Sequence, residues 1–129
     1  MIRRTSEREL LKLAHQFKAV AIVGPRQAGK TTLARMSFPN KDYVNLENPD
    51  VRRFALEDPR GFLANYPNGA ILDEVQRVPD LFSYLQEILD SKTDVGQFIL
   101  TGSNNFQLQE NISQSLAGRL AYLYLLPFS

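Results

Sequence analysis

Gly24-Pro25-Arg26-Gln27-Ala28-Gly29-Lys30-Thr31 fits the spacing G-x-x-x-x-G-K-[ST]. That spacing suits one kind of chemistry. Glycines at both ends let the backbone curl until successive N–H groups point inward as a nest for an anion. A helix beginning at the end of the loop adds its own unpaired N–H groups and the positive end of its dipole. Lys30 would then sit on the β- and γ-phosphates of a nucleotide, and the Thr31 hydroxyl would bind Mg²⁺. The candidate binding segment is Gly24, Pro25, Arg26, Gln27, Ala28, Gly29, Lys30, Thr31 and Thr32. Arg26 can reach either a phosphate or a neighbouring subunit, and its position alone does not choose.

Three further clusters carry chemistry that a phosphate loop needs. Asp73-Glu74 follows the short apolar run Ala70-Ile71-Leu72. A carboxylate at such a strand end can hold Mg²⁺, which makes Asp73 and Thr31 the candidate metal pair. Glu74 is placed to orient and polarise an attacking water. Ser103 and Asn104 follow the run Gln97-Phe98-Ile99-Leu100-Thr101 and could touch the γ-phosphate or that water, although an ordinary turn after a strand has the same composition. Arg119 stands in Ser115-Leu116-Ala117-Gly118-Arg119, directly before an apolar run. It reads either as an arginine finger or as a surface loop arginine.

The elements that must position these residues alternate between β and α, which argues for a mostly parallel sheet covered on both faces. Strands are expected at Ala19–Val23, Tyr43–Leu46, Ala70–Leu72, Gln97–Thr101 and Leu120–Leu126. Thr5 or Ser6 can cap a first helix running to about Gln16, with Leu10, Leu11 and Ala14 on one face. Thr32-Leu33-Ala34-Arg35-Met36 can open the helix after the loop. Short helices are expected at Asp50–Glu57 and Gly61–Asn65, each preceded by proline, and Asp80 caps a helix to about Asp90. In open α/β sheets, ligands bind off the C-terminal strand ends, so the loop and the acidic pair should face one crevice.

Length and composition agree with one globular domain over residues 1–129. The hydrophobic fraction is 43%, the charged fraction 22% and the formal net charge +1, so nothing marks a polyanion binder and nucleic acid is not indicated. The absence of cysteine excludes disulfides and thiolate metal sites, and fits a reducing cytoplasm. Met1-Ile2-Arg3-Arg4-Thr5-Ser6-Glu7 lacks the apolar core of a signal peptide, and Leu120–Leu126 is too short to span a bilayer.

Other patterns point elsewhere and are outweighed. Asp58-Pro59-Arg60-Gly61 matches the D-x-x-G of GTPases, and Ser91-Lys92-Thr93-Asp94 nearly matches their guanine-reading segment, but neither follows a strand. His15 lies in an amphipathic helix and reads as a surface residue. Arg3, Arg4, Arg8, Lys12 and Lys18 form a basic start interrupted by Glu7 and Glu9, which reads as a solvated face. Tyr122 and Tyr124 alternate with leucines, which suits a packed strand.

In order, GPRQAGKTTL, YVNLENPD, AILDEVQRVPDL, FILTGSNNF and SLAGRLAYLYLLPFS resemble the AAA-type (AAA+) ATPase domain of a prokaryotic family whose longer members carry a poorly characterised C-terminal domain. The resemblance runs from about Lys18 to Ser129. It implies an α/β, three-layer P-loop NTPase fold: a parallel five-stranded sheet in the order 5-1-4-3-2, with the helical lid missing. It makes Lys30 and Thr31 Walker A, Asp73 and Glu74 Walker B, and Ser103 or Asn104 sensor 1. Arg119 falls where clamp-loader-like relatives carry a finger, which implies a homo-oligomer. The chain stops at Leu126-Pro127-Phe128-Ser129, where the family continues into a lid and the C-terminal domain, so no sensor 2 arginine can be assigned and the chain reads as an N-terminal portion. The cofactors implied are ATP and Mg²⁺, and the reaction is hydrolysis of ATP to ADP and phosphate. A nucleotide-gated switch with slow turnover is the second reading. A P-loop kinase is a weaker third, since neither an acceptor site nor an arginine-rich lid is visible.

Overall fold

A computed structural model describes residues 2–25, 28–103, 110 and 116–125. The element order is α1 (Ile2–Gln16), β1 (Ala19–Val23), α2 (Lys30–Ser37), β2 (Tyr43–Asn45), α3 (Pro49–Glu57), α4 (Pro59–Ala64), β3 (Ala70–Asp73), a 3₁₀ turn (Val75–Arg77), α5 (Leu81–Asp90), β4 (Phe98–Gly102) and β5 (Leu120–Tyr124). The strands form one sheet in the order β2-β3-β4-β1-β5, and all its pairs are parallel. This is the expected order read from the other edge. Because parallel neighbours run the same way, the C-terminal ends of β1, β3 and β4 emerge along one edge.

Side chains alternate across a strand, so each strand feeds two layers. Ala19, Ala21, Val23, Ala70, Leu72, Phe98 and Leu100 face one side and pack with Ala55, Phe62, Leu63, Leu81, Phe82, Leu85 and Leu89 from α3, α4 and α5. Val20, Ile22, Ile71 and Ile99 face the other side and pack with Leu10, Ala14, Leu33 and Ala34 from α1 and α2. The three layers follow from that split. No helix among the described residues is long and apolar enough to cross a membrane.

The boundaries differ from expectation where local chemistry outweighs pattern. Helix α1 starts at Ile2, so Thr5 and Ser6 lie inside it and do not cap it. Leu11 is exposed, while Leu10 and Ala14 are buried and Leu13 packs against them. The apolar stripe follows the i, i+3, i+4 spacing of a helix, and Leu11 falls off it. Pro49 and Pro59 are the first residues of α3 and α4, where a missing N–H costs nothing. Asn48 and Asp58 cap those helices. The D-x-x-G pattern is thereby explained: Asp58 Oδ1 accepts from the Gly61 N–H at 3.0 Å, as a helix cap. In the other GTPase-like segment, Lys92 Nζ donates to the Pro67 carbonyl and Asp94 accepts from Gln97, both structural contacts. Asp80 precedes α5 as expected, but its side chain makes no capping bond.

Gly24 closes the turn out of β1. A Cβ there would meet the Leu125 carbonyl oxygen at 2.6 Å, closer than side-chain carbons approach. That carbonyl belongs to the residue whose N–H bonds the Val23 carbonyl at 2.8 Å, so it cannot move without unzipping β5 from β1. Gly24→Ala is therefore expected to destabilise the fold by about 1–3 kcal/mol, read from urea unfolding.

Candidate functional site

The α2-facing side of the sheet is apolar until its last residues. Ile71 is followed two positions later by Asp73, and Ile99 by Thr101. Period-two alternation keeps each pair on one face. The face therefore turns polar at its C-terminal edge, beneath the start of α2. Thr31, in the first turn of α2, meets that edge.

The Asp73 carboxylate is 5% exposed and accepts from three hydroxyls. Thr31 Oγ1 lies 2.9 Å from Oδ1 and 3.0 Å from Oδ2. Tyr43, at the start of β2, donates to Oδ2 at 2.5 Å. Thr101, at 0% exposure, donates to Oδ1. Each hydroxyl adds a hydrogen bond to the buried carboxylate, and bonds to a charged acceptor are the stronger kind. Burial, and then the bond to Asp73, push the Tyr43 phenol above its ordinary range, so it remains a donor.

Thr101 also fixes the next residue. Its oxygen accepts the Glu74 N–H at 3.0 Å. Glu74 is left-handed (φ 60, ψ 52), the sole non-glycine residue with positive φ among the described residues. Such a conformation costs a non-glycine residue about 1–3 kcal/mol and persists only when its surroundings hold it. It turns Glu74 out of the strand direction that Asp73 follows. The Glu74 carboxylate then accepts from Gln76 Nε2 at 2.7 Å, and the same amide nitrogen lies 3.5 Å from Ser103 Oγ.

The loop itself is built around Lys30. This residue is 6% exposed, and Nζ donates to the carbonyls of Gly24 (2.8 Å) and Pro25 (2.9 Å). Gly29 is left-handed (φ 88, ψ 21) at the N-cap of α2 and supplies no side-chain cap. No side chain of the N-cap residue therefore occupies the N–H groups of the first turn of α2. Ala28 is buried in the core beside Leu33 and Ala34, where it anchors the loop. Thr32 is exposed.

Lys30, Thr31, Asp73, Glu74 and Ser103 therefore meet at one edge. Arg26, Gln27 and Asn104 lie outside the described residues. Arg119 is not brought to this edge. It precedes β5, whose Leu120 pairs with Ala19 and whose Tyr124 pairs with Val23, so Arg119 sits beside the start of β1 and the loop beyond its end. Five residues of strand separate them, roughly 16 Å at about 3.3 Å each. Its guanidinium pairs with Asp90 at the end of α5 and donates to the Ala117 carbonyl. That bond holds the Asp90 carboxyl below the usual carboxylate range. Tyr43, Gln76 and Thr101 belong to the site and were not anticipated. Period-two spacing from Ile99 could have exposed Thr101, but Tyr43 reads as an ordinary strand aromatic. A cavity of about 520 Å³ lined by Ser37, Lys41, Asp42 and Gly69 lies at the opposite strand ends, away from these groups.

A parallel sheet, a glycine-flanked loop running from β1 into a helix and an acidic residue at the end of β3, one strand removed across β4, define a P-loop NTPase, a nucleotide-binding class. Residues 16–129 match the family model described as AAA domain, and the chain belongs to that family. It is 38% identical to uncharacterized proteins of Mycobacterium tuberculosis and Mycobacterium bovis. Those alignments cover 95% of this chain and 28% of each relative, so the chain spans little more than a quarter of their length. The fold is similar to that of a Walker-type ATPase of Pyrococcus abyssi, with TM-score 0.64 and 15% identity over 98% of this chain and 54% of that one. It is also similar to the P-loop NTPase domain of a sigma-54 transport activator from E. coli, with TM-score 0.58 and 14% identity over 98% and 95% of the two chains.

Proposed function

We propose that the protein binds ATP with Mg²⁺ and hydrolyses the β–γ phosphoanhydride. The observation that carries this reading is the Thr31–Asp73 hydrogen bond, which joins the loop to the acidic strand end across 42 residues of sequence. The donor set fits Mg²⁺. A threonine hydroxyl that gives its one proton to Asp73 keeps a lone pair for a cation, and the carboxylate beside it is a hard oxygen ligand. Thr31 and Asp73 would hold the ion, which when bound would neutralise phosphate charge. The loop N–H groups would hold the phosphate chain. Lys30 would exchange a neutral carbonyl acceptor for a phosphate oxygen, a stronger charge-assisted partner. Glu74 would orient the attacking water, with Gln76 fixing its carboxylate and Ser103 near the same point.

A slow nucleotide-gated switch is the second reading. It is favoured by the distance of Arg119 from the loop, because a lone chain then lacks that cation at its own γ-phosphate. On either reading the domain would work inside a longer cytoplasmic protein, with Arg119 at a contact between copies and a C-terminal domain as the responder.

The first test is Lys30→Ala. It removes the charge and also the two bonds from Nζ to the Gly24 and Pro25 carbonyls, so the unfolding midpoint is recorded beside the affinity to separate a lost phosphate contact from a loosened loop. Affinity for ATP, measured by calorimetry, is expected to fall at least about tenfold, or about 1.4 kcal/mol. Unchanged affinity would remove the loop from the nucleotide site.

A further inference from the structure

Asp73 belongs to a closed circuit of side chains. Thr31 and Arg35 stand four residues apart on α2 and so share a helix face. Thr31 bonds Asp73, and the Arg35 guanidinium carbon lies 4.3 Å from the centroid of the Tyr43 ring. Tyr43 closes the circuit by donating to Asp73 Oδ2 at 2.5 Å. The reach follows from strand register. Asn45 pairs with Asp73, so Tyr43 begins two residues lower and lays its ring up the face, against the cluster that contains Ile71, Leu33 and Ala34.

A carboxylate turns about a single bond. For a metal-holding aspartate, that rotation decides where each oxygen points. Here each oxygen has its own donor from a different strand, Thr101 on Oδ1 and Tyr43 on Oδ2. Thr31 approaches both oxygens about equally, so it does not choose a rotation by itself. Thr101 alone would leave Oδ2 to swing.

The geometry points to Tyr43 as a positioning residue for the Mg²⁺–nucleotide site: its hydroxyl, steadied by Arg35 over the ring, locks the Asp73 carboxylate in the rotation that takes the Thr31 proton and turns the Thr31 lone pair to the cation. The inference rests on the reading of Thr31 and Asp73 as the metal-holding pair. Outer-shell partners of this kind change metal affinity by about 10–100-fold when removed.

Tyr43→Phe tests it, because it deletes the hydroxyl and keeps the ring under Arg35. Two quantities are measured in the wild type and the variant: ADP affinity by calorimetry without divalent cation, and Mn²⁺ affinity of the ADP complex from the spin-resonance signal of free Mn²⁺. The thermal midpoint is recorded for both. Metal-free ADP affinity is expected to stay at the wild-type value and the midpoint to fall by only a few degrees for the lost hydrogen bond, while Mn²⁺ affinity falls about tenfold. Arg35→Gln should lower Mn²⁺ affinity in the same direction and by less. Equal Mn²⁺ affinity in wild type and Tyr43→Phe overturns the role of Tyr43 and leaves the nucleotide site standing. A Tyr43→Phe chain that loses metal-free ADP binding and thermal stability in parallel marks Tyr43 as a fold residue and overturns it equally. A wild type that binds ADP but no Mn²⁺ overturns the metal pair, and this inference with it.

Discussion

Replacing Glu74 by Gln is expected to leave ATP binding intact and slow hydrolysis by about 10²–10⁴-fold, the usual contribution of a positioned acid–base group. The substitution is nearly isosteric. The side-chain oxygen that accepts from Gln76 survives in the amide, and the backbone N–H that Thr101 holds is untouched. What disappears is the negative charge that, on the proposed reading, would polarise the attacking water. Asp73→Asn should behave differently. Its carboxylate accepts from three hydroxyls in a nearly closed site, and an amide offers one acceptor oxygen for them. That variant should weaken the Mg²⁺-dependent part of nucleotide binding and lower the unfolding midpoint, while metal-free affinity changes less. Equilibrium binding with and without Mg²⁺, beside single-turnover phosphate release, separates the two. If both variants bind Mg²⁺-ATP as the wild type does and lose hydrolysis equally, the division of labour between Asp73 and Glu74 is wrong.

The placement of the candidate site was legible where residue type and spacing together dictate the local backbone. Gly24, Gly29, Lys30 and Thr31 form such a set, and the apolar run before Asp73 placed that carboxylate at a strand end. The sheet was legible because buried parallel strands read as apolar runs, as Ala19–Val23 and Phe98–Leu100 do. What escaped was contact between elements distant in sequence. Tyr43 and Asp73 are 30 residues apart, and nothing in Tyr43-Val44-Asn45 reveals which way the phenol reaches. Strand register decides it, and register appears only when β2 and β3 are paired. Thr101 read as the polar end of a strand, although it joins Asp73 to the strained Glu74 backbone. The first helix was cut short because Thr5 and Ser6 resemble caps, but a helix that buries Leu10 and Ala14 can extend to Ile2 with both residues inside it.

The position of Arg119 leads to the sharpest expected result. It lies at the strand ends opposite the loop and holds Asp90, so it does not reach the loop of its own chain. Its pair with Asp90 is exposed, and exposed pairs contribute little, so the arginine can leave it for a better anion. If it acts in phosphoryl transfer, it must act on a neighbouring copy. An arginine supplied in this way can be worth roughly 10³–10⁵ in rate. Arg119→Ala is therefore expected to leave nucleotide binding nearly unchanged and to abolish turnover that depends on assembly. Mixing isolates the effect. Arg119→Ala and Glu74→Gln variants, each inactive alone, should regain partial ATPase activity together, because one mixed interface would pair an intact Glu74 with an intact Arg119. The recovered rate should peak near equal proportions and vanish when either variant is in large excess. Since the fold already separates Arg119 from its own loop, mixed assemblies that form and show no rescue at any ratio would leave it a structural partner of Asp90.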